Sequence, residues 1–353
     1  MIARCELTQA YRKSIATASP HGFEQTNRKK SMNQKRGTAM RSFGILAAAA
    51  ALLVSAPALA DDVKVGIGIS GWTGFAPLTL ANQAGIFKKN GLDVTIKKIP
   101  QKDRHLAIAS GDVQCAATTV ETWISWNANG VATKQIFQLD KSYGADGMAT
   151  RNDVAAIKDL KGKTIAASAP GTSPYFALAW MLKKNGLSIK DVTVVNLEPA
   201  AAAQAFVSGQ NDAAMTYEPY LSTVRAAPDK GKIIATTLDY PMVMDTFGCT
   251  PKFLADNPKA AQALADSYFE AVAMIEKDQA KSYEIMGADV KQSGEQFGNS
   301  AKYLRWQDKA ANQKFFTGEF LAFNKEAADL LLEIGVIKSV PKIDDLFDAS
   351  FIK

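Results

Sequence analysis

Histidine and cysteine are almost missing from this 353-residue chain, and both shortages narrow what it can do. Of two histidines and three cysteines, only His105, Cys115 and Cys249 follow residue 60. A Ser-His-Asp set would have to be built around one imidazole, and a zinc site needs Cys or His ligands at spacings that do not occur here. No P-loop or GxGxxG follows a strand-like run, and GTSPY at 171–175 is not a nucleophile elbow. His105, beside Arg104 at the start of a helical pattern, takes a surface or supporting role by default. These gaps argue against an enzyme and call for no cofactor and no metal. Two cysteines are too few for a disulfide scaffold, and buried free thiols are the preferred reading over a single bridge.

A one-sided charge is lacking as well, once its location is considered. The formal charge is +6, yet residues up to Ala60 hold nine Lys or Arg against Glu6 and Glu24. The leader thus supplies +7 and the remainder carries −1, which removes the argument for nucleic acid. Residues 41–60, RSFGILAAAAALLVSAPALA, place an apolar run behind basic residues and end in small-x-small. That is an export signal with cleavage expected after Ala60. Its apolar run is short of the roughly 20 residues a membrane span needs, and no later run comes close. Residues ahead of Met32 or Met40 read as an over-long start. No cysteine stands directly after the signal, where Asp61 lies, so a freely diffusing periplasmic protein is expected in preference to a lipoprotein.

What remains, 61–353, suffices for two lobes of about 100–150 residues each. Strand-length apolar runs at 63–69, 92–99 and 113–119 alternate with helical patterns at 77–91 and 104–110. The alternation restarts at 159–168 and continues through a helix opening near 173, a strand at 192–197, a helix at 200–208 and a strand at 211–217. Strands alternating with helices imply mostly parallel sheets flanked by helices. After Phe247 the pattern is almost wholly helical, with Asn257 and Pro258 marking a helix start. Two segments echo each other: AIASGDVQCAATTVE (107–121) and AFVSGQNDAAMTYE (205–218) share Ser-Gly, Ala-Ala, Thr and Glu in order. The echo predicts related lobes, each with a glutamate at the carboxyl edge of a parallel strand.

Ligands of open α/β sheets bind beyond the carboxyl ends of the strands, so four segments become candidates. After the first strand, Trp72, Thr73 and Phe75 sit among glycines. Thr119 and Glu121 follow the third strand. Gly171, Thr172 and Ser173 open a helix, where backbone N–H groups either cradle an anion or are simply capped. Tyr217 and Glu218 end the last strand of the second lobe, and Asp245 lies on the return segment. Each has a plain structural alternative: core anchoring for Trp72, helix capping for Glu121 and Glu218.

Taken together, GIFKKNGLDV (85–94), SGDVQCAATT (110–119), DLKGKTIAASAPGTSPYFAL (159–178), SGQNDAAMTYEPYLS (208–222) and TPKFLADNPKAAQAL (250–264) resemble the periplasmic substrate-binding proteins of ABC importers in the nitrate, sulfonate and taurine group. The resemblance covers 63–353. It implies an α/β, two-lobed periplasmic binding protein-like fold of type II with a two-strand hinge. The crossings would fall near 147–151 and 245–250, giving lobe I as 61–147 with 248–353 and lobe II as 148–247. It also implies a monomer that captures a small molecule and docks on an inner-membrane permease. A related enzyme that builds a thiamine pyrimidine carries a CCCFC motif, absent here. Glutamates beside an anion-binding turn favour a taurine-like aminosulfonate first, with a small amine, a pyrimidine or nitrate as alternatives. A ligand sensor docking on a receptor is the rival from another class.

Overall fold

The computed structural model describes residues 62–352; the export signal and its cleavage site at Ala60 lie outside the described residues. The strands in chain order are β1 (Val63–Ile69), β2 (Leu92–Lys98), β3 (Cys115–Thr119), β4 (Lys134–Ser142) and β5 (Asp146–Thr150). They continue as β6 (Thr164–Ala167), β7 (Thr193–Asn196), β8 (Ala213–Tyr217), β9 (Lys232–Thr236), β10 (Met244–Cys249) and β11 (Leu304–Trp306). Two sheets result, ordered β11-β4-β10-β3-β1-β2 and β7-β6-β8-β5-β9.

Each sheet is mixed where the alternation of strands and helices led to the expectation of a mostly parallel one. Strands β2, β1 and β3 run parallel in the first sheet, and β7, β6 and β8 do so in the second. The pairings of β10 with β3 and β4, of β11 with β4, and of β5 with β8 and β9 are antiparallel. The reason is connectivity. A helix joining two strands of one sheet brings the chain back parallel, whereas β5 and β10 arrive from the other sheet and are free of that constraint.

The chain leaves the first sheet after Ser142, enters the second at Asp146, and returns between Thr236 and Met244. The passages therefore lie upstream of the expected positions, and 147–150 and 245–249 are strand. Both echo segments prove to be one unit, a helix followed by a strand. Helices Gln101–Ala109 and Pro199–Val207 end at Ser110 and Ser208, and β3 and β8 follow. The helical tail covers the six-stranded sheet: Phe137 stacks on Phe247 at 4.8 Å, and Tyr268 of helix Pro258–Lys277 packs on Phe137 at 5.2 Å. One element interrupts that tail, the short edge strand β11.

Cys115 and Cys249 form a disulfide between directly opposed residues of β3 and β10. This corrects the free-thiol reading; two residues 134 apart in sequence become neighbours through the return of β10, which spacing alone does not reveal. Closing so long a loop restricts the unfolded chain, and losing a native disulfide typically costs about 2–5 kcal/mol. The Cys115→Ala/Cys249→Ala double variant should melt at a clearly lower temperature with unchanged secondary structure by circular dichroism. An unchanged melting temperature would show that the packing of β3 on β10 suffices without the bond.

Candidate ligand-binding site

A small cavity with a water-accessible volume of ≈ 20 Å³ lies where the carboxyl ends of strands from both sheets meet. The loop after β1 contributes Ser70, Trp72 and Phe75, helix Gln101–Ala109 contributes Gln101 and Arg104, and the end of β3 contributes Thr119. From the second sheet come Asp146 of β5, Ser173 after β6 and Tyr217 of β8, while Val243 and Asp245 arrive on the returning segment. Trp72 meets the edge of Tyr217 at 5.3 Å, so an aromatic pair spans the two sheets. Its indole N–H donates to Asp140 Oδ1 at 3.2 Å. Gly74 makes that contact possible, since a Cβ there would lie 2.2 Å from both Asp140 Oδ2 and Trp72 Nε1.

Charge is the unusual property of this seam. Asp140, Asp146, Asp245 and Glu121 are each at most 2% exposed. Asp140 and Asp245 oppose each other across β4 and β10, so ionising both at once is opposed by like charge as well as by burial. Burial raises all four acids: Asp146 to about 7, Glu121 to about 8, and Asp140 and Asp245 well above the usual carboxylate range. The negative charge of Asp140 adds to the rise at Asp245. Asp146 Oδ2 and Glu121 Oε2 are buried without a hydrogen-bond partner.

Arg104 is the counterweight. It is 1% exposed, and its three hydrogen bonds go to backbone carbonyls: Ile99 O at 3.3 Å from Nε and 3.0 Å from Nη2, and Ala117 O from Nη1. Of five N–H donors in a guanidinium, two are left over. Burial lowers its pKa to about 10, so it stays charged at neutral pH. Its stem lies across β1 because Gly68 has no side chain; a Cβ there would meet Arg104 Cγ at 3.0 Å.

The structure gathers Trp72, Phe75, Thr119, Ser173, Tyr217 and Asp245 around the cavity and keeps the other candidates out of its lining. Thr73 is fully buried, its N–H donating to Glu218 O at 3.4 Å. Glu121 sits behind the wall and accepts from Thr119 Oγ1. Glu218 is turned inward as a structural acid: it accepts from Arg225 Nε at 3.1 Å and from Ser222 N and Oγ at 3.0 and 2.7 Å, capping helix Leu221–Arg225. Thr172 spends its hydroxyl on Ala169 O at 2.7 Å, and the Ser173 N–H donates to Gln101 Oε1 at 3.1 Å. Gly171 belongs to a separate pocket of ≈ 280 Å³ with His105, Lys102 and Trp126. At the helix-opening turn one donor, the Ser173 N–H, is thus already taken by Gln101.

The profile of the NMT1/THI5-like family matches residues 72–281, more than half of the chain. The chain belongs to this family. Among relatives of this NMT1/THI5-like protein, a Brucella abortus chain described as a binding protein is 26% identical over 316 residues, 83% of this chain and 93% of the relative. The taurine-binding periplasmic protein of Escherichia coli is 27% identical over 170 residues, 47% of this chain and 52% of the relative. The alkanesulfonate-binding protein of Xanthomonas axonopodis pv. citri, solved with MOPS, superposes with a TM-score of 0.69 at 18% identity, covering 82% of this chain and 100% of that one. At such identity the superposition establishes the fold, that of periplasmic binding proteins.

Sequence reasoning missed Gln101, Arg104, Asp140 and Asp146 in this family member. Arg104 carried one readable signal, an arginine opening a helix just after a strand edge. Asp140 and Asp146 carried none, because the segment 134–150 shows no alternation that marks its faces. The raised acids have a consequence for stability. Above pH ~4 the unfolded chain has released protons that the folded chain still holds, so stability falls as pH rises toward the folded values near 7 and 8. The melting temperature of the ligand-free protein should therefore decline between about pH 5 and pH 8.5, and Asp146→Asn should flatten the decline. A melting temperature that climbs over that window would contradict the assignment.

Proposed function

We propose that this protein is the extracytoplasmic solute-binding component of an ABC importer, capturing a compact organic ammonium compound, a taurine-like aminosulfonate before a simple amine. One observation carries the reading: a buried carboxylate oxygen without a partner, on Asp146, and a buried guanidinium without a counter-charge, on Arg104, line the same small cavity. A buried guanidinium without an ion-pair partner and a buried carboxyl oxygen without a hydrogen bond are each costly, and ionising the carboxyl costs more, unless a ligand meets them. A small zwitterion does so, with its ammonium at Asp146 and Asp245 and its sulfonate toward Arg104. Trp72, Phe75 and Tyr217 cover the short apolar spacer between them.

In this reading the two sheets with their helices are lobes, and segments 143–145 and 237–243 are the hinge on which they close. The lobe boundaries of the sequence analysis shift accordingly by a few residues. The exported protein works in the periplasm as a monomer and hands its ligand to an inner-membrane permease. Relatives named for taurine and sulfonates support that assignment, as does a structural neighbour described as the ligand-binding component of an ABC-type import system. The excess of acids over the single arginine keeps a simple amine as the second reading.

Isothermal titration of residues 61–353 at pH 8 with taurine, ethylamine, methanesulfonate and nitrate tests the proposal. Taurine should bind most tightly, ethylamine more weakly, and the two lone anions not at all. Asp146→Asn should weaken taurine by about 1.5–3 kcal/mol, roughly ten- to a hundredfold. Tight binding of nitrate or methanesulfonate, unchanged in Asp146→Asn, would sink the ammonium reading.

A further inference from the structure

The twelve-residue helix Ser173–Lys184 begins at the cavity, and an α-helix N-terminus favours negative charge through its unpaired N–H groups. Here the Ser173 N–H is already taken by a side chain from the other sheet's half of the molecule. Gln101 Oε1 accepts it at 3.1 Å, while Gln101 Nε2 donates to Thr118 Oγ1 at 2.8 Å and to Thr122 Oγ1 at 2.9 Å. Those bonds fix the amide's orientation: the nitrogen faces two hydroxyl oxygens and the carbonyl faces the backbone donor. Next to it the Ser173 hydroxyl, 5% exposed and lining the cavity, makes no hydrogen bond. Its nearest acid, Glu121, is close enough to feel it but forms no well-aligned bond with it.

We propose that Gln101 is a specificity-determining residue: its neutral amide oxygen fills the donor position at the helix N-terminus and so denies it to a free anion. A tethered carbonyl gives up no translational freedom when it binds, whereas a free anion does. A lone anion also meets the buried acids with nothing to offset them. An aminosulfonate is still admitted, because its ammonium end engages those acids while its sulfonate reaches Arg104. The biological sense of this selectivity rests on the ammonium reading above, but the occupied donor and its consequence for anions do not.

Removing the amide converts the cavity edge into an anion site. In Gln101→Ala the Ser173 N–H and the Thr118 and Thr122 hydroxyls lose their cap, beside the already unpaired Ser173 hydroxyl and with Arg104 on the same cavity. Binding of methanesulfonate and of nitrate is measured by titration and by thermal shift at constant ionic strength, with chloride as the background anion. Gln101→Ala should bind methanesulfonate at least about tenfold more tightly than wild type, as expected for one or two hydrogen bonds to a charged group. Gln101→Glu, which supplies its own carboxylate, should gain nothing. If Gln101→Ala fails to melt cooperatively, Gln101→Asn, which withdraws the carbonyl by one methylene, replaces it. A folded variant with no anion gain, or an equal gain in Gln101→Glu, overturns the proposal. Wild type silent toward taurine alongside an anion gain in Gln101→Ala removes the aminosulfonate reading and keeps this one; taurine binding with no gain removes this one alone.

Discussion

Carboxylates taken out of water must be protonated, paired or hydrogen-bonded, and the seam between the two sheets is organised around that demand. Asp140 receives the Trp72 indole, which in turn fixes the loop between β1 and helix Ala76–Gln83. Trp306 of β11 donates to Gly74 O at 3.1 Å and holds the same loop from the tail side. Glu218 is met in full by Arg225 and Ser222, so it is an anchor. Asp146 and Glu121 are only partly met, and each keeps one buried oxygen without a partner. The difference between these acids separates scaffold from site more sharply than their positions at strand ends do.

Arg104 shows the same logic from the other sign. Its hydrogen bonds to Ile99 O and Ala117 O tie a helix to the edges of two strands and orient the guanidinium without neutralising it. Phe75 lies 6.0 Å from the guanidinium carbon, which adds a weak favourable contact and walls the charge from bulk water. A carboxylate in direct contact would have been the cheaper arrangement for stability alone. Its absence keeps the positive charge available to the cavity.

Much of the architecture was legible because its signals are local. Strand-length runs marked β1, β2 and β8, and the Ser-Gly echo identified two helix-to-strand units that the structure places at matching positions, β3 and β8. The antiparallel strands β4, β5 and β10 were not legible as such, since they bury polar residues such as Gln135, Gln138, Asp146 and Thr246 on both faces and so show neither an apolar run nor an alternation. With them went Asp140 and Asp146, the disulfide and the true crossing points. The acceptor of the helix-opening Ser173 N–H was not legible either, because Gln101 lies 72 residues away. No local pattern announces a cap supplied from another element.

That gap bears on how far family likeness reaches. A fold shared at 18% identity with a sulfonate-binding protein fixes where the strand ends converge. It leaves open which charges converge there, because those come from single side chains on loops and helix starts. In this chain Gln101 occupies the donor that suits an anion, while the buried acids on β4, β5 and β10 outnumber the single buried arginine in the cavity lining. The scaffold is thus shared with a sulfonate-binding protein, while the side chains at its seam are this chain's own. A preference between ligand charges therefore has to be argued from these side chains, since leaving a buried charge unpaired costs several kcal/mol and backbone geometry alone supplies no such discrimination.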